Sequence, residues 1–309
     1  MASELYHVKQ QFTLGAYKSL VEGTTLPDPS SPEYTSILLY KARASIAIHD
    51  TPAALAILPA DSDDISVKSV VALAKYEGAS SEEDKEAALE QLRDLCIEIE
   101  SEGEVPEADV VRVIAGTAFY TAGEVEEALE TLGAGTTHEN LEAVAVTVHI
   151  YLSIHRPDLA KKEFDRSKQW AEDDLLLGLI ESSIGFVSGK DGYSNCNSYY
   201  TEQIANPSLS APNLLTARGV TRLMRGEISE ARSDLEEAQS QQSGDAETAA
   251  ALVVASGLGP RKADAEEIWS KFTTDYPDHP LVNDISHKAS LFDESAQLFD
   301  VPPVAAVGA

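Results

Sequence analysis

The chain has 309 residues, of which 43% are hydrophobic, so it is long enough and apolar enough to bury a substantial core. Asp and Glu together number 52 against 23 Lys and Arg, which gives a formal net charge of −29. A surface this acidic repels phosphate groups, which argues against nucleic-acid binding and against direct docking on anionic lipid. The simplest interpretation of the charge is solubility.

The two cysteines, Cys96 and Cys196, form no metal-binding or disulfide pattern, which fits a reducing compartment. The N-terminal stretch "MASELYHVKQQF" lacks the apolar segment of a signal peptide. No run of the chain approaches the ~18 apolar residues that a membrane-spanning helix needs. We therefore expect a cytoplasmic or nuclear protein with no direct membrane insertion.

Apolar residues recur three and four positions apart over most of the chain, and alternating β-branched segments are scarce. This pattern predicts an all-α chain of helices of roughly 10 to 15 residues with short connections. The breaks between helices are clusters of Gly, Pro, Asp or Ser. In chain order they are "DPSSPE", "PADSDD", "SEGEVPE", "GKDGYSN", "ANPSLSAPN", "SGLGPRK" and "DYPDHP".

A repeat near 34 residues runs through the chain, marked by a small residue that opens every second helix. The first, third and sixth units match this pattern only weakly. Successive anchors are 34, 34, 40, 32, 38, 33 and 34 positions apart, a period typical of tetratricopeptide (TPR) units. The anchors are Leu20, Ala54, Ala88, Ala128, Ala160, Ser198, Ala231 and Ala265.

The repeat predicts a TPR-like α-solenoid, a superhelix of about eight helical hairpins followed by a C-terminal helix. We expect residues 1–300 to form this single domain and residues 301–309 to form a flexible tail.

Small residues within each unit predict where helices pack closely and where they turn. A small residue in the first helix admits the second helix, and the anchor does the same from the other side. A glycine between them ends the first helix in a left-handed turn. The charged side chains of "RGEISEARSDLEE" are expected mostly on the outer wall. The packing and turn positions are Gly116, Gly123, Ala128, Ala160, Gly219, Gly226, Ala231 and Ala238.

No pattern in the sequence indicates catalysis or a bound metal. His149 and His155 are six positions apart and so lie on different faces of a helix, which suits core or turn histidines better than metal ligands. Neither GxSxG, HExxH nor a phosphate-binding loop is present. We expect no enzyme activity, no cofactor and no metal. An α/α-type hydrolase stays as an alternative that would need two carboxylates converging in a cavity.

A protein partner is expected on the concave wall, which the first helices of a TPR superhelix line. The predicted wall is mostly uncharged, and we expect about half of it to be inter-helix core and the rest to form a hydrophobic groove. A general adaptor for peptide tails, such as a co-chaperone, is the alternative. Such an adaptor would need Lys, Arg and Asn on this wall. These residues are nearly absent there, and Arg43 is the clear exception. The predicted wall residues are Val113, Thr117, Tyr120, His149, Leu152, Thr216, Val220, Leu223 and Met224.

Four stretches resemble one known family nearly from end to end. "ELYHVKQQFTLGAYKSLV" carries a Val-Lys-x-x-Phe helix and a Gly-x-Tyr turn, and "SPEYTSILLYKARASIAI" a Leu-Tyr-Lys-Ala helix. The most specific stretch is "AVTVHIYLSIHRPDLAKKEFDRSKQWAEDDLLLGLIESSIGF", and the end "DHPLVNDISHKASLFDESAQLF" carries Lys-x-x-x-Phe-Asp. Together they resemble the epsilon subunit of the coatomer, the COPI vesicle coat. The departures are "ASSEEDKEAAL", the loop around Cys196 and the Val/Ala-rich tail.

The resemblance implies a non-catalytic TPR array that curls around the C-terminal region of the coat's alpha subunit and grips a protruding hairpin. Such a subunit stabilises the coat of Golgi-to-ER and intra-Golgi vesicles, lies in the cytoplasm and peripherally on Golgi membranes and COPI vesicles, and meets other coat subunits through alpha. The resemblance identifies no individual contact residue.

Overall fold

The computed structural model describes residues 4–59, 61–102, 108–136, 139–189, 191–206, 211–259 and 262–299. Within these ranges the chain forms α-helices and no strand, which confirms the predicted all-α fold class. The expected flexible tail, 301–309, lies outside the described residues. In chain order the helices are α1 Glu4–Thr13, α2 Tyr17–Gly23, α3 Tyr34–Ala47, α4 Thr51–Ile57, α5 Ile65–Gly78, α6 Glu82–Glu102, α7 Ala108–Thr121, α8 Val125–Thr131, α9 Leu141–Ser153, α10 Pro157–Ser167, α11 Leu175–Ser188, α12 Asp191–Ile204, α13 Pro212–Met224, α14 Ile228–Gln241, α15 Ala246–Leu258, α16 Lys262–Asp275 and α17 Pro280–Ala296.

The helices pair in chain order as eight hairpins, from α1 with α2 to α15 with α16, and α17 follows the last hairpin. The first helices of successive hairpins also pack on one another, from α1 through α11 and again from α13 to α15. This stacking buries a continuous core along the array, because each hairpin covers the apolar face of its neighbour. The predicted superhelix of about eight hairpins and a C-terminal helix is confirmed for the described residues.

Side chains of Asp and Asn cap the starts of several described helices. Asp50, Asp64, Asn140, Asp174 and Asp245 each accept a hydrogen bond from a backbone N–H in the first turn of the following helix. Each such cap satisfies an N–H that the helix leaves free and stabilises it by about 1 kcal/mol. The helix boundaries are therefore fixed by signals that are local in sequence.

The same left-handed turn joins the two helices in five of the hairpins. In each case it lies five residues before the small-residue anchor of the repeat. The residue at this position has a φ of +74° at Gly15, +62° at His49, +87° at Gly123, +59° at His155 and +79° at Gly226. In all five hairpins the next N–H donates to the carbonyl five residues earlier over 2.7 to 2.9 Å. This is the Schellman end of a helix, and glycine adopts it most easily. Two histidines hold the same turn despite a cost of roughly 1–2 kcal/mol for a side chain.

Glycines in two first helices allow the second helix of the same hairpin to approach. A Cβ added at Gly116 would lie 2.5 Å from Cγ of Leu132, and one added at Gly219 would lie 2.7 Å from Cγ of Leu235. Both leucines are buried, so neither can move aside without disturbing the core. The two hairpins thus repeat one close contact with the same spacing in sequence.

The sequence predicts that the charged residues of the stretch 225–237 lie mostly on the outer wall. Asp234 is the buried exception among them. Its carboxylate accepts hydrogen bonds from Arg218 at 2.7 and 2.9 Å and from Arg222 at 2.7 Å. Both arginines belong to α13 and Asp234 to α14, so this network holds the seventh hairpin together. Two guanidinium groups offset the desolvation of the carboxylate, which explains why burial is tolerated here.

The N-terminal hairpin returns to the middle of the chain and closes the array. Helix α1 packs against α11 as well as against α3. Leu14 and Ala16 are buried in one cluster with Cys196, Tyr200 and Leu214. The first six hairpins therefore form a ring, and the remaining hairpins continue from it.

Candidate partner-binding site

The ring surrounds a central cavity of about 630 Å³. Side chains from the first helices α1, α3, α7, α9 and α11, and from the segments just before α9 and α11, form its wall. A concave surface of this size, lined from several helices, can accept a protruding segment of another protein. The aromatic and aliphatic side chains of the wall are Tyr6, Leu39, Tyr40, Val110, Val113, Leu141, Trp170, Leu175 and Leu176.

Carboxylates outnumber cations around the cavity. Asp109, Glu139 and Asp173 are exposed on its wall and make no ion pair with the described residues. Lys9 and Arg43 are the cations on the same wall. No cluster of potential metal ligands forms among the described residues. The cavity therefore presents unpaired negative charge beside an apolar surface.

A compact polar cluster joins three helices at this wall. The Nη2 of Arg43 donates to Oε2 of Glu142 at 2.7 Å, and the Tyr40 hydroxyl donates to Oε1 of Glu142 at 2.6 Å. The Arg43 guanidinium also lies 4.6 Å from the ring centroid of Phe12, a cation–π contact. Phe12 belongs to α1, Arg43 to α3 and Glu142 to α9, so the cluster ties the first, second and fifth hairpins together.

The protonation states of this cluster follow from its contacts. Burial raises the pKa of the Glu142 carboxyl, but the charge of Arg43 and the hydrogen bonds from Tyr40 and Arg43 outweigh it and lower the pKa below its usual range. Burial, together with the Glu142 carboxylate, raises the pKa of the Tyr40 hydroxyl well above its usual range. Tyr40 thus remains a donor and Glu142 an ionised acceptor. Glu142 is therefore unsuited to act as a general acid, for which a raised pKa is needed.

The basic clamp of a peptide-tail adaptor is not available at Arg43. Its side chain is only 12% exposed, and its guanidinium already binds the Glu142 carboxylate and covers the Phe12 ring. Capture of an acidic peptide here would require the Glu142 carboxylate to be displaced.

Comparison with known proteins decides the family. The model of the coatomer epsilon subunit family matches residues 1–300. This chain belongs to the coatomer epsilon subunit family. It is therefore a non-catalytic component of the COPI coat, which the α/α-type hydrolase alternative does not fit.

Relatives of the epsilon family match over nearly the whole chain. The chain is 26% identical to coatomer subunit epsilon-1 of Arabidopsis thaliana over 296 residues, which cover 96% of this chain and 97% of the relative. It is 27% identical to the probable coatomer subunit epsilon of Schizosaccharomyces pombe over 303 residues, covering 97% and 96%. The crystal structure of a tetratricopeptide repeat protein from Parabacteroides merdae superposes with a TM-score of 0.56 at 14% identity, covering 87% of this chain and 96% of that one. This similarity confirms the TPR-like fold.

No helix in the part of this epsilon-family chain that the structure describes is both long and apolar enough to cross a membrane.

Two of the predicted wall residues, Val113 and Thr216, contribute to inter-helix packing in this epsilon-family chain, and Thr117 bonds within its own helix. Val113 is 3% exposed and belongs to the main core, although it also lines the central cavity. Thr216 is 9% exposed, and its hydroxyl lies 2.7 Å from that of Thr248 on α15. Thr117 is half-buried and donates its hydroxyl to the carbonyl of Val113. The side chains of Val113 and Thr216 therefore offer a partner little surface.

Two more predicted wall residues pack between α13, α14 and α15. Val220 and Leu223 are half-buried against Leu235, Leu252 and neighbouring alanines. Thr216 and Val220 also line a second groove of about 390 Å³. The exposed part of Thr216 and Val220 faces this groove and not the central cavity.

The other four predicted wall residues lie away from the central cavity. The rings of Tyr120 and His149 meet edge to face with centroids 5.4 Å apart, near the C-terminal ends of α7 and α9. Leu152 is half-buried and Met224 is 51% exposed. Of the nine predicted positions, only Val113 lines the central cavity.

Positions within single repeats missed most of the cavity because the ring is closed by residues far apart in sequence. Tyr40, Glu142, Trp170 and Asp173 line the cavity but stand at none of the repeat positions from which the wall was predicted. Many of them lie at or before the starts of first helices, whereas the predicted wall extends to the ends of those helices. The sequence did carry a signal in two cations of the cavity wall, because Lys9 and Arg43 each stand eleven residues before an anchor, as several predicted wall residues do.

Proposed function

We propose that this epsilon-family subunit binds the C-terminal region of the coatomer alpha subunit by holding a protruding hairpin of that subunit in the central cavity. Through this contact it stabilises the coat for Golgi-to-ER retrograde and intra-Golgi transport, and it reaches the other coat subunits through alpha. It acts in the cytoplasm and peripherally on Golgi membranes and COPI vesicles.

The observation that supports this proposal is the closed ring of first helices around a cavity with an apolar wall. A segment held there is contacted from five helices and loses its water on several sides at once, which favours tight binding per residue. Tyr6 and Trp170 offer the aromatic surface on which binding energy concentrates. The unpaired Asp109, Glu139 and Asp173 favour a partner segment that carries Lys or Arg.

The exposed members of the predicted wall, His149 and Met224, are proposed as secondary contacts outside the cavity. Both belong to first helices, His149 to α9 and Met224 to α13, yet neither lines the cavity. Contacts at the rim of an interface contribute little energy each, so their expected effect is small.

Binding of the purified alpha C-terminal region to variants of this subunit tests the proposal. The cavity variant carries Tyr6→Ala and Glu139→Arg, and the matched wall variant carries His149→Asp and Met224→Asp. All four side chains are exposed, so both variants should fold, which circular dichroism and thermal unfolding check. We expect the cavity variant to lose at least about 30-fold in affinity, the effect of a hot spot, and the wall variant about 3-fold.

The opposite ranking would move the site to the predicted wall. Absence of binding by the wild-type subunit would remove the alpha subunit as its partner.

A further inference from the structure

We propose that the N-terminal hairpin, α1 and α2, is a strap that releases from α11–α13 to admit the partner segment and then closes behind it. This inference rests on the proposed function, because it assigns the route by which the central cavity is filled. It concerns the kinetics of binding and not the identity of the partner.

The ring has one junction unlike the others. Elsewhere around the ring, neighbouring hairpins follow one another in the chain and are joined by a connecting segment. Between α1 and α11 the chain supplies no such connection, and the contact joins the first hairpin to the sixth. A ring of this kind opens most readily where side-chain contacts alone hold it.

The closure contact is small. The N-terminal hairpin contributes two buried side chains to it, Leu14 and Ala16. The hydrogen bond from Nδ2 of Asn213 to the carbonyl of Gly15 is 3.4 Å long, near the upper limit for such a bond. No ion pair between described residues links α1 or α2 to α11, α12 or α13.

The other side of the hairpin is anchored more firmly. Val8 and Leu20 are almost completely buried against Ile37 and Ala44 of α3, with Phe12 and Tyr17 packed around them. The hairpin can therefore separate from α11–α13 while it stays attached to α3, as a hinged element does. Helix α3 would be the pivot of this motion.

Opening has a measurable consequence for the association rate. When binding needs a conformational change first, association is slower than for preformed sites, and the apparent affinity falls with the open fraction. A strap also lets a hairpin enter from the side, so that its tip need not thread through the ring. After closure, the same contact slows release.

An engineered disulfide between positions 15 and 213 locks the strap. A Cβ built at Gly15 lies 3.6 Å from Cβ of Asn213, within the 3.5–4.5 Å that a disulfide requires. Gly15 has a φ of +74°, which cysteine adopts less readily, so the reduced form of the Gly15→Cys/Asn213→Cys variant is the reference for its oxidised form. Burial raises the pKa of the native Cys96 thiol to about 11 and also raises that of Cys196, so both react slowly with oxidant.

The experiment measures association and dissociation rates with the alpha C-terminal region by biolayer interferometry. We expect the oxidised double variant to associate at least about 10-fold more slowly than its reduced form. If oxidation follows complex formation, we expect dissociation to slow by at least about 10-fold. The single variants Gly15→Cys and Asn213→Cys, treated in the same way, should show neither effect.

Equal association rates in the two redox states, with binding retained, would overturn the strap and leave the proposed function intact. Absence of binding by the wild-type subunit would instead overturn the proposed function.

A second variant keeps the inference testable if the double-cysteine protein fails to fold or to form the disulfide. Leu14→Ala weakens the closure contact without touching the cavity wall. We expect it to associate about 3-fold faster than the wild type, because the open state is more populated. An unchanged or slower association rate in the folded variant would contradict the strap.

Discussion

Arg43 and Glu142 lie 99 positions apart in the chain, and their guanidinium and carboxylate groups meet at 2.7 Å. Their side chains are 12% and 30% exposed, so the pair is partly shielded from water. The contact ties the second hairpin to the fifth, on the wall of the central cavity. It therefore stabilises the closed ring and shields Arg43, one of the two cations that line the cavity, from solvent.

Loss of the carboxylate should destabilise the fold. Glu142→Gln leaves the guanidinium of Arg43 in place without its counter-charge, and we expect a fall of roughly 2 kcal/mol in the free energy of unfolding. The residual exposure of Glu142 keeps this below the cost of breaking a fully buried pair. Urea unfolding monitored by circular dichroism measures the change.

The control for this variant is Glu236→Gln, which breaks a surface pair with Arg232 at 2.6 Å. We expect about 0.5 kcal/mol or less from it. Equal effects of the two substitutions would show that the Arg43–Glu142 contact does not hold the ring.

The same pair predicts a pH dependence of stability. The pKa of Glu142 is lowered in the folded protein, so its contribution is present above the pKa of an unfolded glutamate, about 4.3. That contribution is lost as the pH falls through the lower folded value. The difference in unfolding free energy between wild type and Glu142→Gln should thus be constant from pH 7 to 5 and shrink below about pH 4.3. A difference that grows on acidification would contradict this assignment.

Two glycines in helices should respond to alanine with opposite signs. Gly219→Ala places a Cβ 2.7 Å from Cγ of the buried Leu235, so we expect a loss of about 1–3 kcal/mol through overpacking. Gly257→Ala meets no atom within 4 Å, so we expect a gain of about 0.5–1 kcal/mol from reduced freedom of the unfolded chain. Thermal or urea unfolding of the two variants side by side provides the measurement. If both stabilise, the close approach of α14 to α13 is not required.

Two histidines six positions apart should also differ when they are replaced by glycine. His155 has a φ of +59°, so His155→Gly relieves a left-handed side chain and should be neutral or stabilise by up to about 1 kcal/mol. His149 is exposed on α9, where His149→Gly should cost about 0.5–1 kcal/mol. Differential scanning calorimetry would reveal the two directions as shifts in Tm. A comparable loss at both positions would show that the turn does not favour glycine.

Much of the fold could be predicted because the signals are short-range. The anchors Ala54, Ala128 and Ala231, which hold the same position in their repeats, are fully buried between helices. Gly123 and Gly226 adopt the left-handed turn that their position in the repeat requires. Little of the cavity could be predicted in this way, because Tyr6, Trp170 and Asp173 have no shared place in the repeat.

The sequence also did not predict that the carboxylate of Asp234 is buried. Asp234 lies in a run of acidic and basic residues that suits a solvated helix face, yet it is buried against Arg218 and Arg222. Whether such a carboxylate faces water depends on which side chains the neighbouring helix brings within reach, and that requires the packing of the hairpin.

The sequence by itself determined the all-helical repeat, the hairpin boundaries and membership of the coatomer epsilon subunit family, since these depend on periodicity, caps, turns and similarity along the chain. Only the tertiary structure decided that the first hairpin meets the sixth and that Arg43 meets Glu142. The curvature of a repeat array is the sum of small rotations at each interface, so slight differences between units add up over six hairpins. That sum decides whether the array closes, and with it where the cavity lies.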